Sequence, residues 1–207
     1  MKIVNVDLLR FVPDRDAYEL GYERFVVFSE EPSSLPDSVL KGYIVKAESG
    51  RDLISKLRKA KDDWFVGVVG NLKVLKSAVM RRRVDIILDF PERELDYVTI
   101  KMAKEKDVAI EISLSKFLNA EGLRRLRLIE EMIDLIRIIK KFDVPFILTS
   151  GALNFYEMRP KRQILEFFKF FGVDVDRAEF WLERLIRRYT DPNYIMDGLE
   201  IEEYEKG

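Results

Sequence analysis

The sequence predicts an α/β protein built on a parallel sheet, and three observations predict it. Short β-branched and apolar runs recur at 3–8, 25–28, 43–45, 65–69, 84–88, 108–112 and 146–148. Several are continuous apolar stretches without alternation, the pattern of strands buried on both faces. Between them lie segments with apolar residues at three- and four-residue steps, so strands and helices alternate as in right-handed βαβ units. Seven such strands, with an eighth candidate at 172–175, fit a single-domain (β/α) barrel of the TIM type. A doubly wound open sheet is the rival arrangement.

The helical segments follow in order. In 52–60, Leu53, Ile54 and Leu57 share one face of a basic stretch, and 94–106 opens after Pro91 with Leu95, Val98 and Met102 in phase. The longest, 121–142, carries Leu126, Ile129, Met132, Ile133, Ile136 and Ile139 on one stripe. A last helix is expected over 176–188. Periodicity then breaks at Tyr189, Thr190, Asp191, Pro192 and Asn193. The expected organisation is a barrel over 1–195 followed by a mobile acidic tail over 196–207.

Composition removes whole classes of chemistry. The 207 residues include no histidine and no cysteine. That excludes an imidazole general base, a Ser-His-Asp relay, a thiolate zinc site, a cysteine nucleophile and a disulfide framework. Catalysis by this chain would need carboxylates, lysine, hydroxyls or a carboxylate-bound metal. Residues 1–7 lack the apolar core of a signal peptide, and no uncharged stretch approaches membrane-spanning length, so a cytoplasmic location without a membrane partner is expected.

The net charge of −1 conceals an uneven distribution. Residues 51–188 hold 29 basic and 22 acidic side chains, a net of +7, whereas 189–207 hold Lys206 against six acids. A basic body with acidic ends is a different object from a neutral protein.

Acids at strand ends give one candidate site. Asp7, Asp89 and Glu111 stand at or in the first, fifth and sixth strands, with Asp85 and Asp96 nearby, and three carboxylates could hold magnesium. The loop Thr149, Ser150, Gly151 and Ala152 after the seventh strand could present backbone N–H groups to a phosphate, as such loops do in (β/α) barrels. The plainer reading makes the acids helix caps and ion-pair partners, and the loop an ordinary turn. Basic clusters are the stronger signal. They comprise Lys73 and Lys76 at i, i+3 spacing, then Arg81, Arg82 and Arg83 before a buried strand. Arg124, Arg125 and Arg127 open the long helix, and Arg159, Lys161 and Arg162 surround Pro160. Basic residues in the last turn of a helix complement its dipole, which accounts for Lys140, Lys141, Arg187 and Arg188. It accounts less well for like charges crowded at 81–83 and 159–162, which repel unless a polyanion or an acidic protein neutralises them. Phe167, Phe168, Phe170 and Phe171 are dense, and core is their plainer role. Tyr97 and Tyr156 are the better candidates for stacking a base.

The order of these pieces resembles a known family. Val84-Asp85-Ile86-Ile87, Asp96 opening a helix, Val108-Ala109-Ile110-Glu111-Ile112-Ser113-Leu114, a long helix, and Phe146-Ile147-Leu148-Thr149-Ser150-Gly151-Ala152 occur in the order seen in the ribonuclease P protein subunits of the 30-kilodalton class. Asn71, Leu72 and Lys73 look like that family's Asn-Asp-Leu-Arg helix start shortened by one residue, and Lys76 takes the place of a second basic residue. Asp96 matches a family aspartate, with Tyr97 where some members carry histidine. Ser113 and Leu114 match the start of Ser-Leu-Arg-Pro, with Ser115 and Lys116 in place of Arg-Pro. Thr149, Ser150 and Ala152 match, and Arg159, Pro160, Lys161, Arg162 and Gln163 look like a shifted Arg-x-Pro-Arg-Asp.

The resemblance implies a barrel similar to the PHP-type phosphoesterases, in a ribonucleoprotein that removes 5′ leaders from precursor tRNA. In that family the RNA subunit performs the hydrolysis and carries the magnesium, and the protein works with a small protein partner. PHP-type catalysis needs histidine-rich metal sites, and this chain has no histidine. The sequence therefore predicts an RNA-binding subunit with no catalytic residue, cofactor or metal of its own. The expected RNA contacts are Lys73, Lys76, Arg81, Arg82, Arg83, Arg125, Arg159, Lys161 and Arg162, with Thr149 and Ser150 adding hydrogen bonds. Ribonuclease P RNA and the small subunit are its expected direct partners, and precursor tRNA an indirect one. Two rivals stand beside it. One is a carboxylate-metal barrel enzyme acting on a small phosphorylated substrate through Asp7, Asp89, Glu111 and the 149–152 loop. The other is an interaction scaffold whose acidic tail binds a basic partner.

Overall fold

A computed structural model describes residues 5–91, 93–196 and 199–200. Seven strands form one sheet in sequence order, every neighbouring pair parallel: β1 (Val6–Leu9), β2 (Arg24–Ser29), β3 (Leu40–Lys46), β4 (Phe65–Val69), β5 (Ile86–Ile87), β6 (Ala109–Ser113) and β7 (Phe146–Thr149). The sheet curls into a nearly closed barrel. β1 and β7 are its two edges, bridged beyond their ends by the Arg10 N–H donating to the Ala152 carbonyl at 2.9 Å. All seven predicted strands are present. The eighth is not: Gly172, at φ +78, ends one helix and Asp174 caps the next, so 172–175 is a corner between helices.

The barrel interior is filled by bulky side chains, and two glycines make room for the largest. A Cβ on Gly42 would stand 2.7 Å from the Phe28 ring, and one on Gly67 would stand 2.6 Å from Leu88 and 2.8 Å from Phe28. Both positions are therefore where the strand backbone yields space to a fully buried phenylalanine.

Around the barrel run α1 (Arg15–Glu19), α2 (Gly50–Leu57), α3 (Leu72–Val79), α4 (Tyr97–Lys106), α5 (Ser115–Leu118), α6 (Gly122–Phe142), α7 (Lys161–Phe170) and α8 (Val175–Thr190). Their starts obey capping chemistry. Ser49, Asn71, Asp96 and Asp174 each accept a backbone N–H three residues on, which satisfies a donor otherwise orphaned at the helix end. The connection from β2 to β3 has no α-helix, only a 3-10 turn at Pro32–Ser34. A second small core (Leu9, Ala17, Tyr22, Phe25 and Val27, with Ala152 and Met158) closes that flank instead.

α8 lies across the N-terminal mouth of the barrel. Arg177 pairs with Asp143 before β7, Arg184 and Arg188 pair with Asp107 before β6, and the Tyr189 hydroxyl donates to Asp85 before β5 at 2.6 Å. The Tyr189 ring packs on Phe65 at the start of β4, 4.1 Å between centroids. Its apolar face (Ala178, Trp181, Leu182, Leu185, Ile186) is buried beneath these contacts. The basic residues of this helix thus hold a seal in place, with Arg188 on Asp107 and Arg187 on Asp191. Beyond it, β8 (Tyr194–Met196) pairs antiparallel with β9 (Leu199–Glu200). The rest of the predicted tail, 197–198 and 201–207, lies outside the described residues.

Candidate functional site

The opposite, C-terminal mouth of the barrel is where a site would be expected, and it is built from charged side chains. Strand alternation puts Glu111 of β6 and Thr149 of β7 on the interior face, with Arg10 just past the end of β1. Glu111 is fully buried. Its Oε1 accepts the Thr149 hydroxyl at 2.8 Å, and its Oε2 accepts the Asp89 N–H at 2.7 Å and pairs with Arg10, whose side chain is 4% exposed. The Arg10 guanidinium also lies over the rings of Phe28 and Phe90, 5.2 and 5.6 Å from their centroids. Asp89 is equally committed: Oδ1 pairs with Arg93 at 3.0 Å and Lys116 at 3.3 Å, and Oδ2 accepts the Ser113 N–H at 2.9 Å.

Asp7 does not join this cluster. It lies on the β1 face shared with Leu9, and its Oδ1 accepts the N–H groups of Leu8 and Ser150, each at 2.9 Å. Its Oδ2 is buried with no partner. Burial pushes its pKa up to about 6, against the lowering effect of its bonds to Ser150 and Leu8.

The carboxylate-metal reading meets two obstacles here. Asp89 and Glu111 have their oxygens occupied by Arg10, Arg93, Lys116, Thr149 and backbone N–H groups, so the cations a metal would supply are already present as side chains. Among the described residues no group of three acids is placed to hold a metal. The 149–152 loop is also spoken for. The Ser150 N–H goes to Asp7, the Ala152 N–H goes to Ser150 Oγ at 3.2 Å, and the Gly151 carbonyl accepts the Ser115 hydroxyl at 3.0 Å. A Cβ on Gly151 would stand 2.5 Å from Ser113 Cβ. The loop is packed against its neighbours, and the N–H groups of Ser150 and Ala152 are already taken inside the protein. Thr149 and Ser150, expected to add hydrogen bonds to RNA, are both buried here and partner Glu111 and Asp7. Sequence reading missed Arg10, Arg93 and Lys116. The available signal was a lone arginine between apolar runs at the end of β1, which must find a buried carboxylate.

The expected phosphate contacts divide in two. Lys76 pairs with Asp96 at 2.7 Å and, with Thr99, holds that carboxyl at a pKa of about 2. Arg83 pairs with Asp62, Lys161 with Glu179, and Arg162 with Glu166 at 2.8 Å. By contrast Lys73, Arg81, Arg82, Arg125 and Arg159 have no carboxylate partner among the described residues. These five are not on one spot. Arg81 and Arg82 follow the C-terminus of α3 and line a cleft of about 550 Å³ with Arg58 and Lys61, near the N-terminal mouth of the barrel. Lys73 is at the other end of α3, about 12 Å away along the helix axis. Arg125 and Arg159 come together near the C-terminal end, in a pocket of about 290 Å³ between α6 and α7.

Fold and site together define a parallel α/β barrel whose polar end is neutralised by its own cations and whose unpaired arginines face outward. A family model, RNase P subunit p30, matches residues 38–191. The chain belongs to the RNase P subunit p30 family. It is 49% identical over 197 residues to "Ribonuclease P protein component 3" of Archaeoglobus fulgidus, covering 95% of this chain and 96% of that one. It is 29% identical over 157 residues to the protein of the same name from Methanothermobacter thermautotrophicus, covering 72% of this chain and 64% of that one. Among solved structures it is similar to a chain of the cryo-EM structure of archaeal ribonuclease P with mature tRNA. The TM-score there is 0.75 over 98% of this chain and 100% of that one, at 22% sequence identity, and the likeness concerns the fold. No helix among the described residues is long and apolar enough to cross a membrane.

Proposed function

We propose that this chain is an RNA-binding subunit of ribonuclease P that contributes no catalytic group, the hydrolysis and its magnesium belonging to the RNA. Its relatives carry the ribonuclease P name, and one observation bears most on the absence of catalysis. Every acid that could have formed a metal site in the barrel mouth is either neutralised by Arg10, Arg93 or Lys116 or, as with Asp7, turned away from the others. The same carboxylates and cations give the barrel a fixed polar end, so the fold is retained as a rigid carrier for outward-facing arginines.

In this reading Lys73, Arg81, Arg82, Arg125 and Arg159 neutralise closely spaced phosphates of the catalytic RNA. Lys76, Arg83, Lys161 and Arg162 first serve the protein's own acids. A small protein subunit is a second direct partner, precursor tRNA an indirect one, and the cytoplasm the expected compartment. The test is the affinity for ribonuclease P RNA as a function of salt. A steep fall of log K with log salt is expected, with a slope of roughly −0.9 per neutralised phosphate in duplex regions. Weak, salt-independent binding, together with metal-dependent turnover of a phosphorylated substrate by the purified chain, would overturn the proposal.

A further inference from the structure

The pocket between α6 and α7 brings an aromatic floor and two arginines without a carboxylate partner into one concave site. Its floor is apolar and aromatic, made by Phe117, Phe167 and Leu118 among others. Phe117 and Phe167 pack at 5.6 Å between centroids, and Phe167 is further held by Phe168 and Phe171 at 5.2 and 5.3 Å, so the floor is a cluster of tilted and edge-to-face rings. Its walls carry Arg125, Arg159 and Gln163. Each arginine is oriented by backbone carbonyls alone. Arg125 Nε donates to the Ala120 carbonyl at 2.6 Å, and Arg159 Nη1 donates to the carbonyls of Tyr156 and Met158 at 2.8 and 2.6 Å. Neither has a carboxylate partner among the described residues. The Tyr156 ring, on the segment Arg159 holds, is 87% exposed.

We propose that this pocket binds one unstacked nucleotide of single-stranded RNA, its base against the Phe117 and Phe167 floor and its phosphate between Arg125 and Arg159. The inference rests on the ribonuclease P reading and deepens it by naming the form of RNA taken here. Two like charges fixed near each other by neutral carbonyls repel unless an anion lies between them. Guanidinium groups suit phosphate because they bind it bidentately. An apolar aromatic floor beside them is superfluous for a duplex backbone but suits a base, since every base has a π-face to offer. At about 290 Å³ the pocket is near the small end of ligand sites and accommodates one nucleotide. Gln163 adds an amide with both donor and acceptor for the edge of a base.

The probes are a single-stranded hexauridylate, the same hexamer with every base removed, and a short RNA duplex, each titrated against the full chain. The intact oligomer is expected to bind about tenfold more tightly than the abasic one, the gap being the stacking contribution. Phe167→Leu should close most of that gap while leaving the salt slope unchanged. Arg125→Ala with Arg159→Ala should weaken both oligomers and make the slope shallower, and the lysine replacements should restore part of the slope. Circular dichroism and the urea midpoint confirm that each variant folds. Equal affinity for the intact and abasic oligomers, or a duplex bound as tightly as either, would overturn the nucleotide assignment and leave a phosphate patch. If ribonuclease P RNA still binds with a steep salt slope while these variants are silent, the pocket assignment alone fails. If no RNA binds at all, the parent reading fails with it.

Discussion

Across the open side of the barrel, the carboxylate of Asp7 on β1 accepts the backbone N–H of Ser150 just beyond β7, at 2.9 Å. The two edge strands have no ladder between them, so this side chain supplies an acceptor that a neighbouring strand would otherwise provide. Its other oxygen is buried with no partner.

That arrangement makes stability depend on pH in a definite direction. Burial raises the Asp7 pKa from 3.8 to about 6 in the folded chain. Between those values the folded state binds more protons than the unfolded one, so the contribution favours folding at low pH. It is lost as pH rises through about 4 to 6, amounting to about 3 kcal/mol. Asp7→Asn keeps an acceptor for Leu8 and Ser150 and removes the charge. Urea midpoints of the variant should flatten across that window and exceed those of the parent at pH 7.5. An unchanged pH slope would show that Asp7 is not the titrating group.

The Arg10–Glu111 pair should behave as a unit. Arg10→Met leaves a buried carboxylate with one cation fewer and should cost about 3–5 kcal/mol, read from urea unfolding. Arg10→Met combined with Glu111→Leu removes both charges and should recover most of that loss. A double variant as unstable as the sum of its single variants would show that the pair is not coupled.

Gly151 tests whether the loop after β7 is packed or open. Alanine there meets Ser113 at 2.5 Å and adopts φ +57, whereas alanine at Gly21, φ +89, meets nothing within 4 Å. Gly21→Ala should cost only the backbone strain, about 1 kcal/mol. Gly151→Ala should cost about 2 kcal/mol more, because Ser113 must move. Equal losses by thermal melting would argue for an open loop.

The division of the basic residues predicts two kinds of variant. Arg81→Ala with Arg82→Ala should leave the melting temperature within about a degree and make the salt slope for ribonuclease P RNA shallower by about 1.8. Lys161→Ala removes the partner of Glu179, both side chains being largely buried. It should lower stability and leave the slope nearly unchanged. The reverse pattern would mean that the unpaired arginines are not the ones that meet phosphate.

Much of the barrel was legible in the chain because parallel strands buried on both faces leave continuous apolar runs, as at 65–69 and 108–112. The run at 172–175 reads alike but is a helix corner, because Gly172 takes a positive φ that sequence periodicity does not register. The candidate site was legible only in part. Clusters of arginine are visible as sequence, but whether Arg83 faces RNA or Asp62 depends on a residue 21 positions away. Likewise Thr149 and Ser150 match a family motif, yet their role is set by Glu111 and Asp7 across the sheet, long-range partners that no local pattern encodes.

The most direct test of the central claim is cleavage of precursor tRNA under single-turnover conditions, across a magnesium series. The chain alone should show no 5′-leader removal at any magnesium concentration. Added to ribonuclease P RNA and the remaining protein subunits, it should shift the magnesium requirement to lower concentration, and Arg81→Ala with Arg82→Ala should shift it back. Leader removal by the chain without RNA, or an RNA-catalysed rate indifferent to the chain at every magnesium concentration, would contradict the account.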